Sequence, residues 1–247
     1  MSFYRSLQSL RIHNKKGLAV LIDPDKLNSD SKMKAMAELL RHSDVSALFI
    51  GGSLMTQDNF QQCVKLARKH IDLPLVLFPG SPDQVSDQAD AILLLSLISG
   101  RNADLLIGHH VTAAPKLAKS SLEIISTGYM LVDCGNTTTA SYISQTFPLP
   151  YHKPEIAAVT AMAGEMIGMK CMYLDGGSGA QKPVSPQMIT AVRSAVATPI
   201  IVGGGIRDED QAREAFDAGA DLIVVGTAVE ENPELLFSIA NAAALSR

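Results

Sequence analysis

Three glycine-rich stretches carry the most chemical information in this 247-residue chain. They are Tyr173-Leu174-Asp175-Gly176-Gly177-Ser178-Gly179, Gly203-Gly204-Gly205-Ile206-Arg207 and Gly226-Thr227. Each follows a short apolar run and precedes an amphipathic one. Glycine lets backbone N–H groups approach an anion closely, and a helix N-terminus behind it adds a favourable dipole. Ser178 and Thr227 supply hydroxyl donors. A tight strand-to-helix turn also needs glycine, so one such stretch says little. Three in succession point to a phosphate group.

A second group of candidates lies near the N-terminus. Asp23-Pro24-Asp25-Lys26 follows the first apolar run, and Gly51-Gly52-Ser53 follows the second. The Asp23 carboxylate and the Ser53 hydroxyl are oxygen donors suited to magnesium, which takes one or two carboxylates plus water and substrate phosphate. On the motif alone, a turn with a helix cap reads equally well. Asp175 is the carboxylate within the first glycine stretch. It is placed to act as a base or to steady a developing cation. Tyr173 either packs or presents its hydroxyl beside it.

Other residues carry less. His109-His110 have no carboxylate or cysteine at metal spacing, and Asp133 only ends an apolar run. Glu230-Glu231 fall near the start of the last helix. No Ser-His-Asp pattern is present. Cys63, Cys134 and Cys171 share no ligand spacing, and their odd number fits a reduced, cytoplasmic chain.

These residues need a scaffold that brings distant loops together. Strand candidates are Leu18–Ile22, Ala47–Ile50, Leu75–Phe78, Ala91–Leu95, Met130–Val132, Cys171–Leu174, Ile200–Val202 and Leu222–Val225. They are short, rich in Val, Ile and Leu, and mostly lack polar alternation, as parallel strands buried on both faces do. Helical spacing fills the gaps: Met33, Met36, Ala37 and Leu40; Phe60, Cys63, Val64 and Ala67; Ala212, Ala215, Phe216 and Gly219. Eight strands alternating with helices predict an α/β fold, a (β/α)8 TIM barrel, over 1–247 as one domain. An open doubly wound sheet is the alternative. Phe78–Asp90 has little helical pattern, so a third barrel helix is not expected there. Cys134–Pro154 is polar and long for a loop, which suits a lid. Phe3–His13 reads as an extra helix that plugs the barrel floor.

Composition narrows the function. Apolar residues make up 47% of the chain, which excludes disorder, and the formal charge of −4 gives no footprint for nucleic acid. No apolar run reaches the roughly 18 residues of a membrane span. A lipid substrate must then be met from solution or at a membrane surface.

Taken in order, these motifs resemble the geranylgeranylglyceryl phosphate synthase family over nearly the full length. The carriers are Leu21–Asp25, Ile50–Ser53, Leu77–Gly80, Ser96-Leu97, Ile107-Gly108, Gly128-Tyr129, Lys153-Pro154, Tyr173–Gly179, Val202–Arg207 and Gly226-Thr227. The second, longer subgroup is the better match. The shorter heptaprenyl branch carries lysine at the position of Leu21. The resemblance implies a modified barrel lacking its third helix, and a Mg2+-dependent transfer of a geranylgeranyl group from its diphosphate to the 3-hydroxyl of sn-glycerol 1-phosphate. It places Asp23 and Ser53 as magnesium ligands. Tyr173, Leu174, Asp175, Gly176, Gly177, Ser178, Gly179, Gly204, Gly205, Gly226 and Thr227 become glycerol-phosphate contacts, with Asp175 and Tyr173 at the chemistry. Leu94–Ile98 and the segment through Gly108 would line the prenyl groove, and a dimer or hexamer is implied. Many members carry glutamate where this chain has Asp175, which shortens the reach by one methylene.

Two other functions compete. A sugar-phosphate isomerase or aldolase would use the same phosphate loops, though no lysine sits convincingly at a strand end for a Schiff base. A non-enzymatic phosphate-binding subunit would need none of Asp23, Ser53 and Asp175.

Overall fold

The strands are apolar on both faces because alternate residues serve two different cores. In β1 (Gly17–Ile22), Leu18, Val20 and Ile22 pack outward under the helices, while Ala19 joins the cluster inside the barrel. The same split recurs in β2 (Ala47–Ile50), where Phe49 points inward and Leu48 and Ile50 outward. The structure is a computed structural model and describes residues 2–245. Met1, Ser246 and Arg247, part of the expected 1–247 domain, lie outside the described residues.

The chain begins with α1 (Phe3–Ile12) and continues through β1, α2 (Asp30–Arg41), β2, α3 (Phe60–His70), β3 (Leu75–Leu77) and β4 (Ala91–Leu97). Residues 78–90 join β3 to β4 through turns and bends. A π-helical turn, Asp104–Gly108, leads into α4 (His109–Leu117), followed by β5 (Glu123–Leu131), α5 (Thr139–Ser144) and α6 (Pro154–Met166). The last part holds β6 (Cys171–Asp175), α7 (Pro186–Ala195), β7 (Ile200–Gly203), α8 (Glu209–Asp217), β8 (Leu222–Val225), α9 (Thr227–Glu231) and α10 (Leu235–Leu245). All eight strands are parallel, neighbours in sequence are neighbours in space, and β8 pairs with β1 to close the barrel.

Helix starts follow side-chain chemistry. Ser29, Ser185 and Asp208 accept hydrogen bonds from Lys32, Met188 and Gln211 N–H groups, capping α2, α7 and α8. The polar stretch after β5 holds only the short α5, which opens with a capping box between Thr138 and Ser141.

One strand differs from expectation. β5 spans Glu123–Leu131 rather than residues 130–132, and its register with β4 runs from Ala91↔Glu123 to Leu97↔Tyr129. Ser126, Thr127 and Gly128 interrupt the apolar run that the sequence reading relied on. Thr127 is nevertheless fully buried, because its hydroxyl donates to Ile125 O at 2.9 Å and contacts Cys171 Sγ at 3.3 Å. Val132 lies past the strand in an isolated bridge to Leu149, with its N–H donating to Asp175 O at 2.9 Å.

At the N-terminal ends of the strands, α1 closes the floor. Phe3 and Leu7 are buried, and the Phe3 ring meets Phe49 edge-on at 5.8 Å. Glu123 holds α1 in place through the Ser2 hydroxyl and the Tyr4 N–H. A buried ion pair lies at the same end. Arg193 contacts Asp221 at 3.1 Å, Asp221 accepts from Ile200 N–H, and Lys16 donates to Ala220 O. The helix plug and this ion pair thus lie at the bottom, opposite the mouth where the strands end.

Candidate active site at the C-terminal mouth

The predicted residues converge where the strands end. Asp23, Ser53, Tyr173, Asp175, Gly177, Ser178, Gly179, Gly204, Gly205, Gly226 and Thr227 all line one polar pocket. Leu174 and Gly176 are buried beside it rather than in its wall.

The glycine-rich side of this pocket is assembled from three loops. Ser178 and Thr227 hydroxyls, one after β6 and one after β8, lie 3.3 Å apart. Arg207 fastens the β7 loop to the β6 loop by donating to Ala180 O at 2.6 Å and Gln181 O at 2.9 Å. Gly204 has φ +80°, and a Cβ there would stand 2.7 Å from the amide nitrogens of Gly176 and Gly177 and 2.8 Å from Asp175 Oδ1. Only glycine fits there, and both amides are already engaged, Gly176 N–H with Gly203 O and Gly177 N–H with Asp175 Oδ1.

Across the pocket, Asp23 sits one residue past β1. Its Oδ1 accepts the Asp25 N–H at 3.0 Å, and its carbonyl receives Lys26 and Leu27 N–H groups, so the turn is tightly set. Asp25 turns away, because its Oδ2 accepts from both the N–H and the hydroxyl of Thr56. Those bonds hold the Asp25 carboxyl below the usual range. Asp23 is therefore the carboxylate that this turn leaves to the pocket. Gly51 lets the β2 loop lie against β3, since a Cβ would meet Phe78 O at 1.8 Å, and this brings Ser53 to the same wall as Asp23. Among the described residues, no group of three or more His, Cys, Asp or Glu side chains gathers to hold an ion. One carboxylate and one hydroxyl fit magnesium, which relies on water and phosphate for its other ligands.

Asp175 is buried at the inner end. Burial pushes its carboxyl above the usual range, partly offset by the Tyr129 hydroxyl at 2.6 Å and the Gly177 N–H at 2.7 Å. Burial first, and the Asp175 charge second, push the Tyr129 and Tyr173 phenols well above their ordinary value. The tyrosines thus stay protonated near neutrality. Asp175, not Tyr173, is the group able to take a proton.

A second, apolar pocket opens beside the first. Its walls include Leu94, Leu97, Leu105, Ala113, Leu117 and Leu131. Leu94, Leu97 and Leu105 fall in the expected groove segment. His109 and His110 also reach its wall, and His110 Nε2 lies 2.8 Å from Leu95 O. Asp133 lines neither pocket, and Glu230 lies in α9, not in the last helix.

The two pockets share Gly52, Ser53 and Phe78. Phe78, Tyr129 and Tyr173 form an aromatic cluster at this seam, with ring centroids 5.2 to 5.9 Å apart. Tyr129 was not among the predicted site residues, because β5 was read too short to place it at a strand end. Lys26 was seen only as part of the Asp23 motif. Its ammonium lies 2.6 Å from Glu230 across the polar pocket.

A closed parallel barrel with two pockets joined at its C-terminal mouth is an α/β barrel with one polar and one apolar subsite side by side. The particular lineage is equally clear. Residues 10–243 match the PcrB family, and the chain belongs to it. It is 54% identical to a geranylgeranylglyceryl phosphate synthase of Spirosoma linguale, over 95% of this chain and 94% of that one. It is 51% identical to the Chitinophaga pinensis enzyme of the same name, over 97% and 94%. The geranylgeranylglyceryl phosphate synthase of Thermoplasma acidophilum, solved with its substrate sn-glycerol-1-phosphate, superposes with a TM-score of 0.92 at 28% identity, covering 98% of both chains.

Proposed function

We propose that this protein is a prenyltransferase that joins geranylgeranyl diphosphate to the 3-hydroxyl of sn-glycerol 1-phosphate and releases diphosphate. The observation that carries this reading is the seam. A polar pocket with phosphate-type loops meets an apolar groove at Gly52, Ser53 and Phe78, beside Asp175. A sugar-phosphate isomerase would have no use for the groove.

In this reading Gly177, Ser178, Gly179, Gly204, Gly205, Gly226 and Thr227 hold the glycerol phosphate, with Tyr173, Leu174 and Gly176 shaping the floor. The prenyl chain fills the apolar groove, whose walls are mainly apolar side chains, leucine above all. Asp23 and Ser53 would hold Mg2+, which would supply positive charge to offset that of a departing diphosphate. The bond from the allylic carbon to the diphosphate oxygen breaks, and the electron pair leaves with the diphosphate. The rings of Phe78 and Tyr129 flank the seam, where an aromatic face favours a cationic carbon. The glycerol oxygen forms the new ether bond, and its proton passes to Asp175, the buried carboxylate that binds a proton more strongly than usual.

The enzyme works as one barrel domain in the cytoplasm. No described helix is long and apolar enough to cross a membrane, so the lipid substrate is met from solution or at a membrane surface. It assembles as a homo-oligomer, a dimer or hexamer. Exposed Ile156, Val159, Met162, Met166 and Ile167 along and just beyond α6 support a covered face there.

The test is incubation with magnesium, geranylgeranyl diphosphate and either sn-glycerol 1-phosphate or sn-glycerol 3-phosphate, read by mass spectrometry. Ether product from the first glycerol phosphate alone is expected. No product from any prenyl diphosphate would sink the assignment.

A further inference from the structure

The polar pocket holds more negative charge than its chemistry requires. Asp23, Asp175 and Glu230 all line it, although both substrates bring phosphoryl anions. Asp23 and Asp175 have roles in the proposed reaction, and Glu230 has none. A carboxylate in an anion site repels its ligand unless something else uses it.

Lys26 uses it. The cations lining this pocket, among the described residues, are Lys26 and Arg207. Arg207 is committed to the carbonyls of Ala180 and Gln181. Lys26 Nζ instead contacts Glu230 Oε2 at 2.6 Å, bridging the Asp23 turn to α9. The Lys26 side chain is 53% exposed, so it keeps its freedom to change partners, while Glu230 is 16% exposed.

We propose that Glu230 is a placeholder for a phosphoryl oxygen: it holds Lys26 across the mouth of the empty site, and the diphosphate of the donor displaces it. Because Lys26 springs from the turn that presents Asp23, the anion it meets first is the one at Asp23 and Ser53, not the one in the glycine loops. A multiply charged phosphoryl group accepts a charge-assisted hydrogen bond at least as strong as a carboxylate does. Once the prenyl group has moved on, Glu230 competes for Lys26 again and helps inorganic diphosphate leave. Lys26 is thus a donor-binding residue and Glu230 a positioning residue that weakens product retention. This inference rests on the prenyl-diphosphate reading above.

The experiment is isothermal titration of the full chain with inorganic diphosphate and magnesium, with sn-glycerol 1-phosphate as a second arm. Glu230→Gln is expected to bind diphosphate about two- to fivefold more tightly, the scale of a lost, partly exposed ion pair. Lys26→Met is expected to weaken it about tenfold. The double variant should match Lys26→Met, since the carboxylate acts only through the lysine. In turnover, Glu230→Gln should show stronger product inhibition by diphosphate. Unchanged or weaker diphosphate binding by Glu230→Gln overturns the proposal, as does an equal gain in the Lys26→Met background. A gain confined to sn-glycerol 1-phosphate overturns the assignment to the donor. Failure of the unaltered protein to bind diphosphate, while it binds sn-glycerol 1-phosphate, would bring down the prenyl-diphosphate reading itself. Should Lys26→Met not fold, Lys26→Arg, which keeps the charge, must retain the wild-type response to Glu230→Gln.

Discussion

At the scale of the residue, Asp175 sets activity against stability. Its carboxyl is raised by burial despite two hydrogen bonds. The folded protein therefore binds this proton more strongly than the unfolded chain. The stabilising contribution is complete below the unfolded value of 3.8 and is lost as pH rises through the folded value. Wherever the group is ionised it is a cost to the fold, and the same burial would make it a stronger base in the proposed reaction. Asp175→Asn keeps partners for Tyr129 and Gly177 and removes the charge. Calorimetry at pH 7 should show a higher Tm, while kcat falls by about a hundredfold or more. A lower Tm would refute the burial argument. Gly204→Ala tests the proposed phosphate loop, because a side chain at φ +80° costs about 1–2 kcal/mol and its Cβ would stand 2.7 Å from the Gly176 and Gly177 nitrogens, forcing the loop to shift. Titration should show affinity for sn-glycerol 1-phosphate falling by about tenfold or more.

At the scale of the element, the barrel separates what holds it together from what works. The pair of Arg193 and Asp221 joins α7 to the start of β8 at the floor, away from both pockets. Removing Asp221 leaves a guanidinium buried without its partner. Asp221→Ala should cost about 3–5 kcal/mol in denaturant unfolding, with kcat of the folded fraction unchanged. β5 shows the opposite emphasis. Its Ser126, Thr127 and Gly128 weaken the apolar pattern, but the strand's length carries Tyr129 to the mouth opposite Tyr173 and next to Asp175. Tyr129→Phe keeps the ring and loses the hydroxyl. It should raise the Asp175 carboxyl further, since one of the bonds that lowers it is gone. The lower limb of the kcat profile should shift to higher pH accordingly.

At the scale of the whole molecule, the two pockets make one site. Ala113 lies on the groove wall, and Ala113→Phe should lower kcat/KM for the geranylgeranyl donor about tenfold while sparing shorter prenyl donors. A donor panel read by mass spectrometry decides it. The α6 face makes a separate prediction. Val159→Asp should reduce the mass measured by light scattering, because a charge on an apolar contact opposes association.

The sequence by itself pointed to the barrel, with an open doubly wound sheet as the alternative, and to most residues of the polar pocket. Apolar runs buried on two faces leave few architectures open, and glycine turns that must approach an anion are written in local residue types. The tertiary structure alone decided the rest. Tyr129 reaches Asp175 across 46 positions of chain, Lys26 reaches Glu230 across 204, and the two pockets meet at Phe78. No local pattern encodes these contacts. They arise when the closing of the barrel brings the ends of all eight strands to one mouth.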